Sequence, residues 1–99
     1  VVVYTFGDYL DPAVVRQFEL ETGTLVRLKT FNNNQEMIAR LKVSWAEFDV
    51  VMASNYVLPF LIQSRLLTPL NRANLPLLKN VDPAFTPDDY RHELTYAVP

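Results

Sequence analysis

The sequence predicts an α/β domain built on an open, mostly parallel sheet with flanking helices. Three short apolar runs alternate with two amphipathic segments between residues 1 and 53. Residues typical of helix starts and helix stops stand between these runs. An alternating strand–helix–strand–helix–strand order favours parallel strands joined by helical crossovers.

The first strand and helix are the clearest elements. Val1 to Phe6 is rich in β-branched residues and predicts a buried strand. Asp11 and Pro12 then fit the N-cap and first position of a helix, and Gly23 fits its C-terminal stop. The apolar face predicted for this helix consists of Val14, Val15 and Phe18.

The next elements repeat this arrangement. Residues 25 to 31 alternate partly and predict a second strand. Asn33 and Glu36 have the spacing of a capping box, so a helix is expected to begin there, and residues 32 to 34 are interpreted as a turn and cap. Met37, Ile38 and Leu41 form its apolar stripe. Residues 48 to 53 predict a third short strand.

Beyond the third strand the pattern becomes less regular. We expect a loop at residues 54 to 56, and then a short helix that accommodates Pro59 in its first turn. Residues 66 to 90 predict an irregular connection, with a turn at Asp88 and Asp89. Residues 94 to 99 predict a fourth strand.

Composition excludes several classes of function. The net charge is −2 with no basic run, which argues against nucleic acid as a partner. No apolar stretch is long enough to span a bilayer, and the absence of cysteine excludes thiolate metal sites. With two glycines, neither in a phosphate-binding loop, and no nucleophile beside a base, we expect no catalytic residue, metal or cofactor.

Asp8 is the residue that the local pattern does not explain. Asp11 is accounted for as an N-cap, whereas Asp8 lies in the loop after the first strand, between Phe6 and Tyr9. The loop after the third strand carries Ser54, Asn55 and Tyr56. In open parallel sheets, ligands bind outside the carboxyl ends of the strands, so these two loops face each other if strands one and three are neighbours.

Such a cluster suits an organic cation. Asp8 can accept a charge-assisted hydrogen bond, and the aromatic rings can make cation–π contacts. The residues also have structural explanations: loops favour aspartate, tyrosines are common at sheet rims, and Ser54 or Asn55 can cap a helix.

The chain resembles a known family in the segments "YTFGDYLDPAVVRQFELETG", "FNNNQEMIARLK", "FDVVMASNYVLPFLIQSRLLTPLN" and "YAVP". Their order and spacing are similar to the N-terminal part of the polyamine (spermidine/putrescine) binding proteins of bacterial ABC importers. The resemblance implies ligand-binding roles for Phe6, Asp8, Tyr9, Ser54 and Tyr56. The chain departs from the family at three positions. The family commonly has tryptophan where this chain has Phe6, a hydroxyl residue where it has Gly7, and glutamate where it has Asp8.

The resemblance also implies a setting. It places residues 1–99 in the first lobe of a two-lobe, type II periplasmic-binding-protein fold, as its N-terminal segment without the second lobe. It further implies an extracytoplasmic protein, periplasmic or attached to the cell surface, that works with permease subunits and is not itself membrane-spanning. The open alternatives are an anionic or other small solute, such as a sugar, phosphate ester or iron complex, and a ligand-sensing lobe.

Overall fold

The computed structural model describes residues 1–87 and 91–99. These divide into two compact units, Val1–Val57 and Leu58–Pro99. The first unit contains the sheet and every residue of the expected binding site. In the part of the chain that the structure describes, no helix has the length and apolarity needed to cross a membrane.

Three parallel strands form the sheet of the first unit. They are β1 (Val2–Phe6), β2 (Arg27–Phe31) and β3 (Val50–Val51), in the spatial order β2-β1-β3. The register aligns Phe6 with Phe31 and Tyr4 with Val51. The predicted α/β class and the adjacency of the first and third strands are therefore confirmed, and β1 is the central strand.

Helix α1 (Pro12–Thr22) begins and ends where its capping residues predict. The carboxylate of Asp11 accepts a hydrogen bond of 2.8 Å from the backbone N–H of Ala13. At the other end, Gly23 has a φ of 70°, and its N–H donates to the carbonyl of Glu19 at 2.9 Å. A left-handed residue at this position is what favours glycine there.

Helix α2 (Asn34–Ser44) begins at the predicted capping box. Asn33 Oδ1 accepts a hydrogen bond of 2.8 Å from the N–H of Glu36. The Glu36 carboxylate reaches back to the N–H of Asn32, at 3.1 Å, one residue before the usual partner. Both side chains of the capping box thus accept a backbone N–H at the start of the helix. A 3₁₀ turn, Trp45–Glu47, follows the end of the helix.

The core of the first unit lies between α2 and one face of the sheet. Phe31, Met37 and Leu41 are buried, and the Tyr4 ring stacks on Phe48 with centroids 4.2 Å apart. The apolar stripe predicted for α2 is therefore confirmed at Met37 and Leu41.

The apolar face predicted for α1 is uncovered. No residue of this helix is buried, and the Val14 and Phe18 side chains are 58% and 47% exposed. The spacing of apolar residues predicts which face of a helix is available for packing, but no described element packs closely on this one.

The second unit consists of short helical turns. Helix α3 (Leu58–Gln63) holds Pro59 in its first turn, as expected. It ends in a Schellman arrangement with Arg65 in the left-handed region, at a φ of 58°. The N–H of Leu66 donates to Leu61, and the N–H of Arg65 donates to Ile62, both at 3.0 Å.

The fourth strand predicted for residues 94 to 99 is wrong. Glu93–Thr95 forms a 3₁₀ turn, and the N–H groups of Tyr96 and Ala97 both donate to the carbonyl of Glu93. These local bonds use the donors that a strand would need for its ladder. The turn expected at Asp88 and Asp89 lies outside the described residues.

Candidate functional site

The carboxyl ends of all three strands lie at one edge of the sheet, because both strand pairs are parallel. This edge, called the carboxyl edge below, carries the loops that follow Phe6, Phe31 and Val51. The ladder extends one step past β3, since the N–H of Met52 donates to the carbonyl of Tyr4 at 2.8 Å. The predicted site residues in the loops after β1 and β3 therefore share this edge.

Asp8 has an unusual backbone and an unpaired side chain. Its φ is 56°, in the left-handed region, which aspartate tolerates better than most residues other than glycine. The residue is exposed, and its carboxylate has no hydrogen-bond or ion-pair partner within residues 1–87 and 91–99. The turn geometry explains why aspartate is accepted here, and it leaves the charge available to a ligand.

Aromatic residues stand on both sides of Asp8 in the chain, Phe6 at the end of β1 and Tyr9 directly after Asp8. The ring centroids of Phe6 and Tyr9 are 5.8 Å apart, and those of Phe6 and Phe31 are 4.4 Å apart. Tyr9 is 66% exposed, so most of its ring is available for contact. An exposed ring beside a carboxylate is a favourable environment for an alkylammonium group.

Ser54 and Tyr56 are joined by a residue that sequence reasoning missed. The Asn34 side-chain Nδ2 donates to Ser54 Oγ at 3.2 Å and to Tyr56 Oη at 2.5 Å. From the sequence, Asn34 is explained as part of a turn and cap. Three consecutive asparagines where one cap suffices were the signal that could have revealed a second role.

The two halves of the predicted site are not in direct contact in the described residues. Phe6 and Tyr9 form one group, and Ser54 and Tyr56 form the other, with no hydrogen bond or ring contact joining them. Closer to the sheet, Thr5 Oγ1 of β1 donates a hydrogen bond to Met52 Sδ, just after β3, at 3.3 Å. The predicted site residues thus form two separate groups at the carboxyl edge.

A different surface of the first unit holds an open cavity of about 520 Å³. It lies between α2 and the sheet, and Tyr4, Lys29, Arg40 and Phe48 are among its lining residues. Glu47 lies close by, 3.6 Å from Lys29 Nζ and 3.0 Å from an Arg40 nitrogen. Burial is the main cause that raises the pKa of Tyr4. Lys29 and Arg40 are thus already paired with Glu47. None of the predicted site residues lines the cavity.

The described residues contain no side-chain group suited to holding a metal ion. No group of three or more histidine, cysteine, aspartate or glutamate side chains is positioned to hold a metal ion in that part of the chain. His92, the single histidine, is exposed and lies beside the Tyr96 ring, with centroids 5.8 Å apart. The groups present at the carboxyl edge are a carboxylate, hydroxyls and aromatic rings.

Comparisons with known proteins give a consistent result. The chain is 37% identical over 82 residues to the putrescine/agmatine-binding protein of Pseudomonas aeruginosa, which covers 83% of this chain and 22% of that protein. It is 30% identical over 101 residues to a spermidine/putrescine-binding periplasmic protein of Haemophilus influenzae, covering 100% of this chain and 28% of that protein. No protein-family model matches.

The fold has a similar counterpart among solved structures. A spermidine/putrescine ABC transporter substrate-binding protein from Streptococcus pneumoniae superposes with a TM-score of 0.81 and 33% identity. The match covers 86% of this chain and 26% of that one. The chain therefore spans about a quarter of the length of the proteins that it matches.

Proposed function

The chain is a homologue of part of the periplasmic polyamine-binding proteins of ABC transporters, and from this premise we propose that it binds a polyamine-like organic cation. The binding is non-catalytic, and the bound solute is delivered to an ABC importer. Spermidine and putrescine are the first ligands to test.

The observation that carries this proposal is the unpaired carboxylate of Asp8, which the exposed ring of Tyr9 follows directly in the chain. A polyamine carries ammonium groups separated by methylene segments. Its ammonium groups need charged acceptors, and its methylene segments need apolar or aromatic surface. Asp8 supplies the first, and Phe6 and Tyr9 supply the second. In this proposal Ser54 and Tyr56 hold the far side of the ligand with their hydroxyl groups.

The wider setting follows from the relatives and is part of the proposal. Residues 1–99 would form the N-terminal segment of the first lobe of a two-lobe binding protein, and the ligand would be enclosed between the lobes. The protein would be periplasmic or attached to the cell surface, and its partners would be permease subunits. Enclosure matters physically because hydrogen bonds to a charged ligand strengthen when water is excluded.

An anionic solute is the competing candidate, and one observation favours it. Helices α1 and α2 both begin just after strands that end at the carboxyl edge. Free N–H groups and the helix dipole at such positions attract negative charge. However, Asp11 and Asn33 already cap these helices, and the charge of Asp8 opposes an anion.

Calorimetric titration of the intact protein distinguishes the two candidates. Spermidine, putrescine, a sugar phosphate and citrate would be added separately at the same ionic strength. The proposal predicts saturable binding of one or both polyamines and none of the anions. Binding of an anion with no response to polyamines would overturn it.

A further inference from the structure

We infer that Asn34 is a positioning residue that fixes the Ser54 and Tyr56 hydroxyls for ligand binding. This inference rests on the proposed function, because it concerns the same site. It assigns to the first residue of α2 a role that capping does not require. Asn33 caps the helix through its own side chain, which leaves the Asn34 carboxamide free for another purpose.

The geometry makes Asn34 a bridge across the sheet. Asn34 follows β2 and Ser54 follows β3, and these are the two outer strands of the order β2-β1-β3. With a spacing of about 4.8 Å between neighbouring strands, the outer strands are about 10 Å apart. The carboxamide therefore ties the loops of both outer strands together, past the end of β1.

Hydrogen-bond direction gives the bridge a chemical consequence. The carboxamide NH₂ has two donors, and both are used, one for Ser54 Oγ and one for Tyr56 Oη. With the carboxamide in this orientation, both hydroxyls accept from Asn34, and each keeps its own proton for another group. Ser54 Oγ also keeps a second lone pair, which can accept an N–H from an ammonium group.

The burial of Asn34 indicates that this arrangement has a cost. The residue is 8% exposed, and its Oδ1 is buried without a hydrogen-bond partner among the described residues. Unpaired buried acceptors are uncommon because they lose their hydration. By contrast, Tyr56 is 72% exposed, so the carboxamide is the one described anchor of its hydroxyl.

A double-mutant cycle, read out by ligand affinity, tests the inference. Asn34→Ala should weaken spermidine or putrescine binding by about tenfold, the loss expected for one or two hydrogen bonds. In a Ser54→Ala/Tyr56→Phe background, the same change should have almost no further effect, since the groups that Asn34 positions are gone. Gln35→Ala, which removes an exposed carboxamide from the next residue, is the matched control and should bind like the parent. An equal loss in both backgrounds, or none in either, would refute the inference.

A second measurement needs neither ligand nor a variant of Asn34. In the parent protein, the Asn34 side-chain amide protons should exchange slowly with solvent by NMR, because both are hydrogen-bonded. Ser54→Ala and Tyr56→Phe should each shift one of these protons and speed its exchange. Unchanged signals in both variants would overturn the inference whatever the protein binds. If the parent binds no polyamine but the signals shift, the proposed function fails and the bridge stands.

Discussion

Replacing Asp8 by Asn removes the charge on which the proposed function depends and preserves the local backbone. Asp8 has a φ of 56°, and asparagine tolerates this left-handed conformation as well as aspartate does. The two side chains have nearly the same shape. A change in binding therefore reports the charge and not a disturbed turn.

The size of the effect depends on how far the ligand is shielded from water. Asp8 is exposed in the described chain, and a charge pair at 4 Å in water is worth about 1 kcal/mol, or about fivefold in affinity. Enclosure between two lobes would raise this to about 1.5–3 kcal/mol, the range of hydrogen bonds to charged groups. We therefore expect Asp8→Asn to weaken polyamine binding between about fivefold and 150-fold.

Asp11→Asn is the matched control for this experiment. It changes the net charge by the same amount three residues away, and asparagine caps a helix as well as aspartate does. Calorimetric titrations of the parent and both variants with spermidine and putrescine should show a loss for Asp8→Asn alone. Equal losses would mean that the overall charge attracts the ligand, and an unchanged Asp8→Asn variant would remove Asp8 from the site.

Three further predictions concern stability. Gly23→Ala should lower the free energy of unfolding by about 1 kcal/mol in urea titrations, because a Cβ there meets no atom within 4 Å and the cost is that of the left-handed backbone alone. Arg65→Gly should raise it by about 0.5–1 kcal/mol by relieving the same strain at the end of α3; a loss would show that the arginine side chain is needed there. The hydrogen bond from Arg40 lowers the pKa of Glu47. The stability that ionised Glu47 contributes is therefore fully present above the ordinary glutamate pKa, and it is lost as the pH falls through the lowered pKa of the folded protein. Glu47→Gln should therefore reduce the fall in the free energy of unfolding as the pH is lowered. The same fall in the variant and the parent would contradict this expectation.

Elements whose signals are local could be predicted from the sequence. Asp11, Gly23 and Asn33 mark the ends of helices because the groups that they satisfy lie within a few residues of them. The alternation of strands and helices predicted the parallel sheet for a similar reason, since a helix that runs back along the sheet lets the next strand start at the same edge and run in the same direction. The shared edge of Asp8 and Ser54 followed from that topology.

Which side chains meet at that edge could be learned only from the folded chain. Asn34 contacts residues 20 and 22 positions away, and no local pattern distinguishes a buried bridge from a spare turn asparagine. The sequence also gave no sign that the backbone of Asp8 is left-handed or that the apolar face of α1 is uncovered. The failed strand at residues 94 to 99 has the same cause, because an apolar run becomes a strand only where a neighbouring strand can accept its hydrogen bonds.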